Sequence, residues 1–275
     1  MLIYKATNTL DGYLPLMDYT EDQSQAEVMV VGGKKITLSD FPKLRGIFKT
    51  GVGTDNLPFE DAATRGIEIV LPSDQTCDVI YEETAAFTCH LILNGLYTGA
   101  GEWDTWLKVD RRQIATQRLL VVGNGRIGKR VAGKMAAFMH VDTFDIASDK
   151  PESFESKVRQ ADCVTLHVPL NEDTKGLFNT ERLKWMKDGA LLVNTSRGPV
   201  IDEEALYAEL NSGRIRAAID VFWKEPYHGR LTEIPEDRFI RTPHISSTCK
   251  EFLQGAAADF MGFFAMLGKR KEGHD

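Results

Sequence analysis

The chain of 275 residues is longer than one average domain, and its apolar fraction of 43% can supply a sizeable core, so we expect two domains. Its net charge of −7 and the lack of a long basic run make nucleic acid or an acidic membrane an unfavourable main partner. The sequence shows no secretory leader pattern and no apolar run near the roughly 20 residues that span a bilayer. Four cysteines without C-x-x-C or zinc spacing predict free thiols in a reducing cytoplasm.

Residues 1 to about 97 alternate short apolar strands with helical segments. We predict strands over 27–31, 46–49 and 67–71, and helices over 60–65 and 81–97. This alternation indicates an α/β unit with a parallel sheet. The glycine-rich loop Thr50–Asn56 follows the second of these strands. Its backbone N–H groups could hold a small anion, and a plain turn is the alternative.

A glycine fingerprint opens the second half of the chain. The apolar strand 119–122 leads into Gly123, Gly125 and Gly128, in G-x-G-x-x-G spacing, and then into the helical segment 127–138. The first glycine allows a tight turn, the second lets a pyrophosphate approach the backbone, and the third lets the helix pack close to the strand. The phosphates then meet unpaired N–H groups at the helix N-terminus.

An acidic residue follows the next predicted strand. That strand, 141–144, ends at Asp145, which is 17 positions after Gly128 (145 − 128). A carboxylate here binds ribose hydroxyls and repels a 2′-phosphate. Because no arginine follows in Ile146–Ser148, the sequence favours NAD over NADP. A glycine-rich turn with a surface acid is the alternative, but strand, helix and acid together favour dinucleotide binding.

The alternation of strands and helices continues to the end of the chain. We predict strands over 163–167, 190–194, 217–221 and 239–240, and helices over 180–186, 202–210 and 249–267. The fold class is therefore α/β, with two Rossmann-like domains built on doubly wound parallel sheets. We place a substrate-binding domain at 1–97, completed by a C-terminal helix in 250–275, and an NAD-binding domain at 98–249.

Chemistry-bearing residues follow several of these strands, where doubly wound sheets bind their ligands. Hydride transfer to a carbonyl needs a proton donor near pH 7, a role that suits His244. A carboxylate such as Glu225 can orient the imidazole, and an arginine such as Arg197 can bind a substrate carboxylate with two parallel hydrogen bonds. Each residue alone has an ordinary structural explanation, but their joint placement favours a catalytic set.

Six ordered motifs between about residues 45 and 250 resemble the D-isomer-specific 2-hydroxyacid dehydrogenases, and within them most closely the D-3-phosphoglycerate dehydrogenase branch. The motifs are Gly51-Val-Gly-Thr-Asp-Asn56, Gly123-Asn-Gly-Arg-Ile-Gly128, Leu166-His-Val-Pro-Leu170, Leu192-Val-Asn-Thr-Ser-Arg-Gly198, Ile219-Asp-Val221 with Glu225-Pro226, and Thr242-Pro-His244.

The resemblance implies a role for each matched position. Arg197 would bind the substrate carboxylate and carbonyl, His244 would be the acid/base and Glu225 its partner. The backbone of Val52 and Gly53 would hold the substrate carboxylate. The implied cofactor contacts are Gly123, Gly125, Arg126, Ile127, Gly128, Asp145, Val168, Pro169, Thr195, Asp220 (to the nicotinamide carboxamide) and His244. The resemblance also implies a cleft between the domains and a homodimer. We predict no metal site.

The chain departs from the family pattern at two places that affect its interpretation. The segment 98–117 is short, and relatives often put dimer contacts there. Leu71-Pro-Ser73 replaces the usual Asn-Thr-Pro.

Lys49 aligns with a basic residue of the phosphoglycerate branch and could meet a substrate phosphate, with a surface lysine as the alternative. The other functions to weigh are an NADP-dependent glyoxylate or hydroxypyruvate reductase and a non-catalytic NAD-binding regulatory protein.

Overall fold

The computed structural model describes residues 1–99 and 101–272 and divides the chain into two compact units. The first unit comprises Met1–Ile80 and the described chain from Thr248 onward, and the second comprises Tyr81–Ser247. This division falls inside a long helix, whereas the boundary predicted from the sequence lay between residues 97 and 98. Ala100, which lies just after the predicted boundary, and residues 273–275 of the predicted C-terminal segment lie outside the described residues.

The described elements alternate strand and helix along most of the chain. In order they are β1 (Ile3–Lys5), β2 (Val28–Val31), β3 (Gly46–Lys49), α1 (Phe59–Thr64), β4 (Glu68–Val70), α2 (Asp74–Tyr97), β5 (Gly101–Glu102), β6 (Leu107–Lys108), β7 (Arg118–Val122), α3 (Arg126–Met135), β8 (His140–Phe144), α4 (Ser153–Gln160), β9 (Cys163–Leu166), α5 (Thr180–Leu183), β10 (Leu191–Asn194), α6 (Glu203–Asn211), β11 (Arg216–Ile219), β12 (Phe239–Arg241) and α7 (Lys250–Glu272).

The first unit is built on a four-stranded parallel sheet in the order β1-β2-β3-β4. Every residue of β2 and β3 is buried, because apolar layers cover both faces, as parallel sheets require. One layer includes α7, whose Phe260 meets Phe48 of β3 edge-on at 5.5 Å between ring centroids. The opposite layer packs Phe41 and Leu44 against the sheet.

The second unit is built on a six-stranded parallel sheet in the order β12-β11-β10-β9-β7-β8. The chain runs outward from β7 to β8 on one side and through β9 to β12 on the other, so the direction of winding switches between β7 and β9. Because all six strands are parallel, their carboxyl ends meet at one edge, where doubly wound sheets bind ligands. The predicted α/β class with Rossmann-type parallel sheets is confirmed.

Several elements differ from the sequence-based prediction. Helix α2 begins at Asp74, seven residues before the predicted start at 81 (81 − 74), because its first turns are polar and carry little periodic signal. Helix α4 was not predicted, since Phe154 and Val158 are its only buried residues. Strand β1 is only three residues long, which is too short for a clear pattern. Across residues 1–99 and 101–272, the helices are too short or too polar to cross a bilayer.

Candidate active site

The glycine fingerprint forms the turn between β7 and α3. Gly123 has φ of 94°, and a Cβ added there would collide with the carbonyl of His167. A Cβ on Gly128 would likewise collide with the carbonyl of Gly123. Gly125 differs, because a Cβ there would meet no atom within 4 Å. Packing therefore requires the outer two glycines, while the middle one leaves open space beside the first N–H groups of α3. This geometry fits the pyrophosphate of a dinucleotide.

Arg126 opens α3, with the partly buried Ile127 next to it. The Arg126 guanidinium donates to the hydroxyl of Tyr81 at 2.8 Å and lies 5.2 Å from the centre of that ring. Arg130 stands over the same ring at 5.6 Å. Tyr81 therefore holds in place the side chain predicted to line the pyrophosphate. Sequence reasoning did not find this tyrosine, because 45 positions separate it from Arg126.

Asp145 follows β8 beside the glycine turn. One carboxylate oxygen accepts from the N–H of Asn124 at 2.7 Å, and the other accepts from the N–H of Ala147 at 3.0 Å. Its own N–H donates to Asp149, and a hydrogen bond from Lys157 lowers the pKa of the Asp149 carboxyl. The carboxylate is thus fixed next to the fingerprint, where ribose hydroxyls would lie. This arrangement fits an unphosphorylated adenosine ribose.

Two residues after β9 were predicted to contact the cofactor. Val168 is partly buried against the core of the second unit, and Pro169 is exposed. The preceding residue, His167, places Nε2 3.0 Å from the Thr165 hydroxyl. Burial lowers the pKa of His167 to about 3, so this imidazole is neutral at physiological pH. The contact that the structure shows for this ring is the hydrogen bond with Thr165.

The loop after β10 carries Thr195 and Arg197. The buried Asn194 holds this loop: its amide oxygen accepts from Ser196 N–H at 2.9 Å, and its amide nitrogen donates to the carbonyl of Arg197 at 2.8 Å. The Arg197 guanidinium donates to the carbonyl of Ser196 at 2.8 Å. Asn194 is therefore a positioning residue. It lies within one of the six family motifs, but the sequence alone predicted no role for it.

The hydroxyl of Thr195 has a defined hydrogen-bonding direction. It lies 2.8 Å from the hydroxyl of Thr88, and Thr88 already donates its single proton to the carbonyl of Thr84 at 2.7 Å. Thr195 must therefore donate to Thr88. Its remaining capacity is that of an acceptor, so a cofactor hydroxyl or amide that meets Thr195 Oγ1 has to donate.

Asp220 follows β11 and is fully buried. One carboxylate oxygen accepts from the Thr242 hydroxyl at 2.5 Å and from the N–H of Ile245 at 3.0 Å, and the other accepts from the N–H of Ser246 at 2.9 Å. Its carbonyl accepts from the N–H of His244 at 2.8 Å. Asp220 therefore fixes the loop 242–246 on both sides of the histidine.

His244 and Glu225 form a direct pair at this edge of the sheet. His244 Nδ1 lies 2.8 Å from Glu225 Oε2, and the other oxygen of Glu225 accepts from the N–H of Phe222 at 3.0 Å. Burial alone would raise the pKa of Glu225, but the hydrogen bond and charge of His244, the Phe222 amide and the charge of Arg197 outweigh it, so this pKa is lowered. The carboxylate is therefore ionised and can orient the imidazole, whose side chain is 37% exposed.

The predicted anion loop of the first unit follows β3. Lys49, which ends β3, is only 3% exposed, so the surface-lysine alternative is wrong. Its ammonium donates to the carbonyl of Gly32 and to the side-chain oxygen of Asn56 at 3.0 Å. These bonds anchor the loop that presents Val52 and Gly53.

The chain is similar in sequence to proteins of known families. The family model described as D-isomer specific 2-hydroxyacid dehydrogenase, NAD binding domain, matches residues 90–246. A hydroxypyruvate reductase of Thermotoga maritima is 30% identical over 82% of this chain and 80% of its own length. A D-3-phosphoglycerate dehydrogenase of Methanocaldococcus jannaschii is 34% identical over 86% of this chain but only 48% of its own length.

A solved structure shows the same fold. The D-lactate dehydrogenase of Aquifex aeolicus, complexed with NAD and lactic acid, superimposes with a TM-score of 0.79 over 98% of this chain and 96% of its own, at 24% identity. The family resemblance drawn from the six sequence motifs is confirmed, as is NAD as the cofactor. The chain therefore belongs to the D-isomer specific 2-hydroxyacid dehydrogenases, NAD-dependent oxidoreductases that act on CH–OH groups.

Proposed function

We propose that the protein interconverts a 2-oxo acid and a D-2-hydroxy acid, with His244 as acid/base, Glu225 as its partner and Arg197 as the binder of the substrate carboxylate and carbonyl. The observation that carries this proposal is the 2.8 Å pair of His244 and Glu225, which lies in the same unit as the glycine turn. A histidine oriented by an ionised carboxylate is a standard arrangement for proton transfer near neutral pH.

Residues of the protein account for proton transfer and for binding of the substrate carboxylate. NADH supplies the hydride when it is bound. His244 donates a proton to the substrate oxygen in reduction and takes it back in oxidation, while Glu225 stabilises the imidazolium through Nδ1. Arg197 pairs with the substrate carboxylate through its planar guanidinium. The N–H groups of Val52 and Gly53 are proposed to bind the same carboxylate.

For the substrate, we propose a small unphosphorylated 2-oxo acid such as glyoxylate or hydroxypyruvate. The alternative of a phosphorylated substrate relied on Lys49. That ammonium is buried and donates to Gly32 and Asn56, so a substrate phosphate would have to displace both bonds. The Thermotoga maritima relative named hydroxypyruvate reductase supports the same class. A cytoplasmic location and a homodimer stay predictions from the sequence.

The test is NADH oxidation with a panel of glyoxylate, hydroxypyruvate, phosphohydroxypyruvate, pyruvate and branched 2-oxo acids, repeated with NADPH. We expect glyoxylate or hydroxypyruvate to give the highest kcat/KM, with NADH preferred. A preference for NADPH would instead support an NADP-dependent reductase. Tight NADH binding without turnover on any acid would support a regulatory protein.

The role of His244 is tested by His244→Gln, with His228→Gln as the matched control, because His228 has no place in the proposed site. General acid–base catalysis contributes about 10²–10⁴-fold, so we expect kcat to fall by that factor while NADH binding is retained. Normal turnover by His244→Gln would refute the proposed mechanism.

A further inference from the structure

A polar cavity of about 340 Å³ lies at the amino-terminal edge of the second unit's sheet. Its lining includes Gln117 before β7, Asp162 before β9, Ala190 before β10 and Arg216 at the start of β11. The proposed active site lies at the opposite, carboxyl edge. β7 has five residues, so at about 3.3 Å per residue the two edges are some 15 Å apart. The cavity is therefore separate from the dinucleotide site.

Most charges around this cavity are already neutralised within the protein. One oxygen of Asp162 accepts from Arg112 at 2.6 Å and from Lys187 at 2.8 Å, and the other accepts from the N–H of Arg118 at 2.9 Å. Asp188 has a side chain that is 89% exposed, and it pairs only distantly with Arg214, at 3.5 Å. Asp110 is the third acidic residue of the lining, and none of the three forms an ion pair with Arg111 or Arg216 among the described residues.

Two arginines of the lining have no carboxylate partner within the described part of the chain. Arg216 donates one hydrogen bond, to the carbonyl of Gly95 in the last turn of α2 at 2.5 Å. Burial lowers the pKa of Arg216, yet a guanidinium stays charged in proteins. Among the described residues, the contact found for Arg111 is with the ring of Tyr97, at 4.3 Å from its centre. A half-buried cation without a counter-charge is unfavourable, and an anion in the cavity would offset that cost.

We propose that this cavity binds the phosphate or carboxylate group of a small metabolite through Arg216 and Arg111. Guanidinium groups bind such oxyanions through parallel hydrogen bonds in a planar fork. The volume lies at the lower end of the range for small-molecule sites, which suits a compact anion rather than a nucleotide. Because Arg216 also holds the end of α2, an anion bound here would stabilise the contact between that helix and β11.

The test is calorimetric titration of the full-length protein with inorganic phosphate and with citrate, at constant ionic strength set by chloride. NADH is kept saturating, so that the added anion cannot occupy the pyrophosphate position. We expect the wild type to bind one anion at the cavity, and Arg216→Gln to weaken this binding at least about tenfold, as for the loss of a charge-assisted hydrogen bond. Arg118→Gln is the matched control, because Arg118 also opens a strand but pairs with Asp142 outside the lining. It should bind the anion like the wild type.

A second variant separates an effect on anion binding from a loss of folding. Arg111→Gln removes a side chain whose contact among the described residues is with the Tyr97 ring, so its effect on anion binding can be measured even if Arg216→Gln unfolds. Equal binding by the wild type and by Arg111→Gln and Arg216→Gln would place the anion elsewhere and overturn the proposal. Absence of saturable binding up to tens of millimolar would also overturn it.

Sedimentation velocity on the same samples provides a further check. A dimer that dissociates in Arg216→Gln, without anion binding, would assign the cavity to a second copy of the chain.

Discussion

The carbonyl oxygen of Asp220 accepts a hydrogen bond from the N–H of His244 at 2.8 Å, while the Asp220 carboxylate binds the loop on both sides of that histidine. His244 has φ of 55°, a left-handed conformation that is unfavourable for a residue with a Cβ. Such a conformation persists only where its surroundings fix it. Asp220 therefore holds the proposed acid/base in a backbone geometry that the loop would not adopt alone.

We expect Asp220→Asn to impair turnover more than cofactor binding. The amide nitrogen would face backbone N–H groups or the Thr242 hydroxyl, and leaving a buried donor unsatisfied costs about 1–3 kcal/mol. A displaced imidazole should lower kcat by about tenfold or more and alter the pH profile of kcat. The measurement is kcat against pH together with the Kd of NADH by fluorescence.

The control for this variant is Thr242→Val, which removes only one of the donors to the same carboxylate. It should change kcat less than Asp220→Asn does. If Asp220→Asn instead weakens NADH binding and leaves the pH profile intact, the residue acts on the nicotinamide carboxamide, as the family resemblance implied.

We expect Asn194→Ala to lower kcat/KM for the 2-oxo acid by acting through Arg197. The alanine leaves the Ser196 N–H and the Arg197 carbonyl without their partner, so the loop that aims the guanidinium loosens. Arg197→Gln alone should lower kcat/KM strongly. In the Arg197→Gln background, Asn194→Ala should lower kcat/KM little further, because the effects of substitutions at coupled residues are not additive. Independent, fully additive losses would show that Asn194 does not position Arg197.

Local patterns in the sequence predicted the elements and residues that mark the edge of the second sheet. The glycine spacing, the acid at 145 and the residues after each strand are all short-range signals. Contacts that depend on the folded conformation leave no such signal. Asn194 and Arg197 are only three positions apart, but their hydrogen bond depends on the conformation of the loop between them. Asp220 meets its partners after 22 to 26 positions, and Lys49 is buried although lysine usually lies at the surface. The sequence thus identified the candidate catalytic groups but not the residues that hold them.

We expect Asp145 to determine the coenzyme preference. Its carboxylate is fixed by two backbone N–H groups beside the glycine turn, so it can accept from ribose hydroxyls and repel a 2′-phosphate. Asp145→Ala should raise the KM for NADH by about tenfold or more, as expected for lost charge-assisted hydrogen bonds. It should lower the KM for NADPH, because the repulsion of the 2′-phosphate is removed. Asp149→Asn is the control, because Asp149 pairs with Lys157 and contacts Asp145 only at its backbone N–H. If the ratio of the KM values for NADH and NADPH is unchanged in Asp145→Ala, other residues select the coenzyme.

We expect the Tyr81 hydroxyl to contribute to NADH binding through Arg126. Tyr81→Phe keeps the ring under the guanidinium and removes the 2.8 Å hydrogen bond, which should weaken NADH binding about two- to fivefold. In an Arg126→Gln background the same change should have no further effect. Tyr97→Phe, at the other end of the same helix, is the control and should bind NADH normally. A similar loss for Tyr81→Phe in both backgrounds would separate the tyrosine from Arg126.

We expect Asp162 to make stability depend on pH in the acid range. Burial alone would raise the pKa of Asp162, but the bonds from Lys187, the Arg118 amide and Arg112 lower it below the ordinary aspartate value. The folded state therefore keeps this carboxylate charged at pH values where the unfolded chain binds a proton. The contribution of Asp162 to stability is complete above its pKa in the unfolded chain, about 3.9. It is lost as the pH falls through the lower pKa of the folded protein.

Urea unfolding of wild type and Asp162→Asn at pH 7, 5, 4 and 3.5 checks the sign of this effect. At pH 7 the variant should be less stable by about 1–3 kcal/mol, because Arg112 and Lys187 lose their shared partner. The difference between the two proteins should hold to pH 5 and shrink below about pH 4, since only the wild type then gains a proton on this side chain. Glu155→Gln, which breaks an exposed pair with Arg159, is the control and should change stability by less than about 1 kcal/mol at every pH. A gap between wild type and Asp162→Asn that widens on acidification would contradict the lowered pKa.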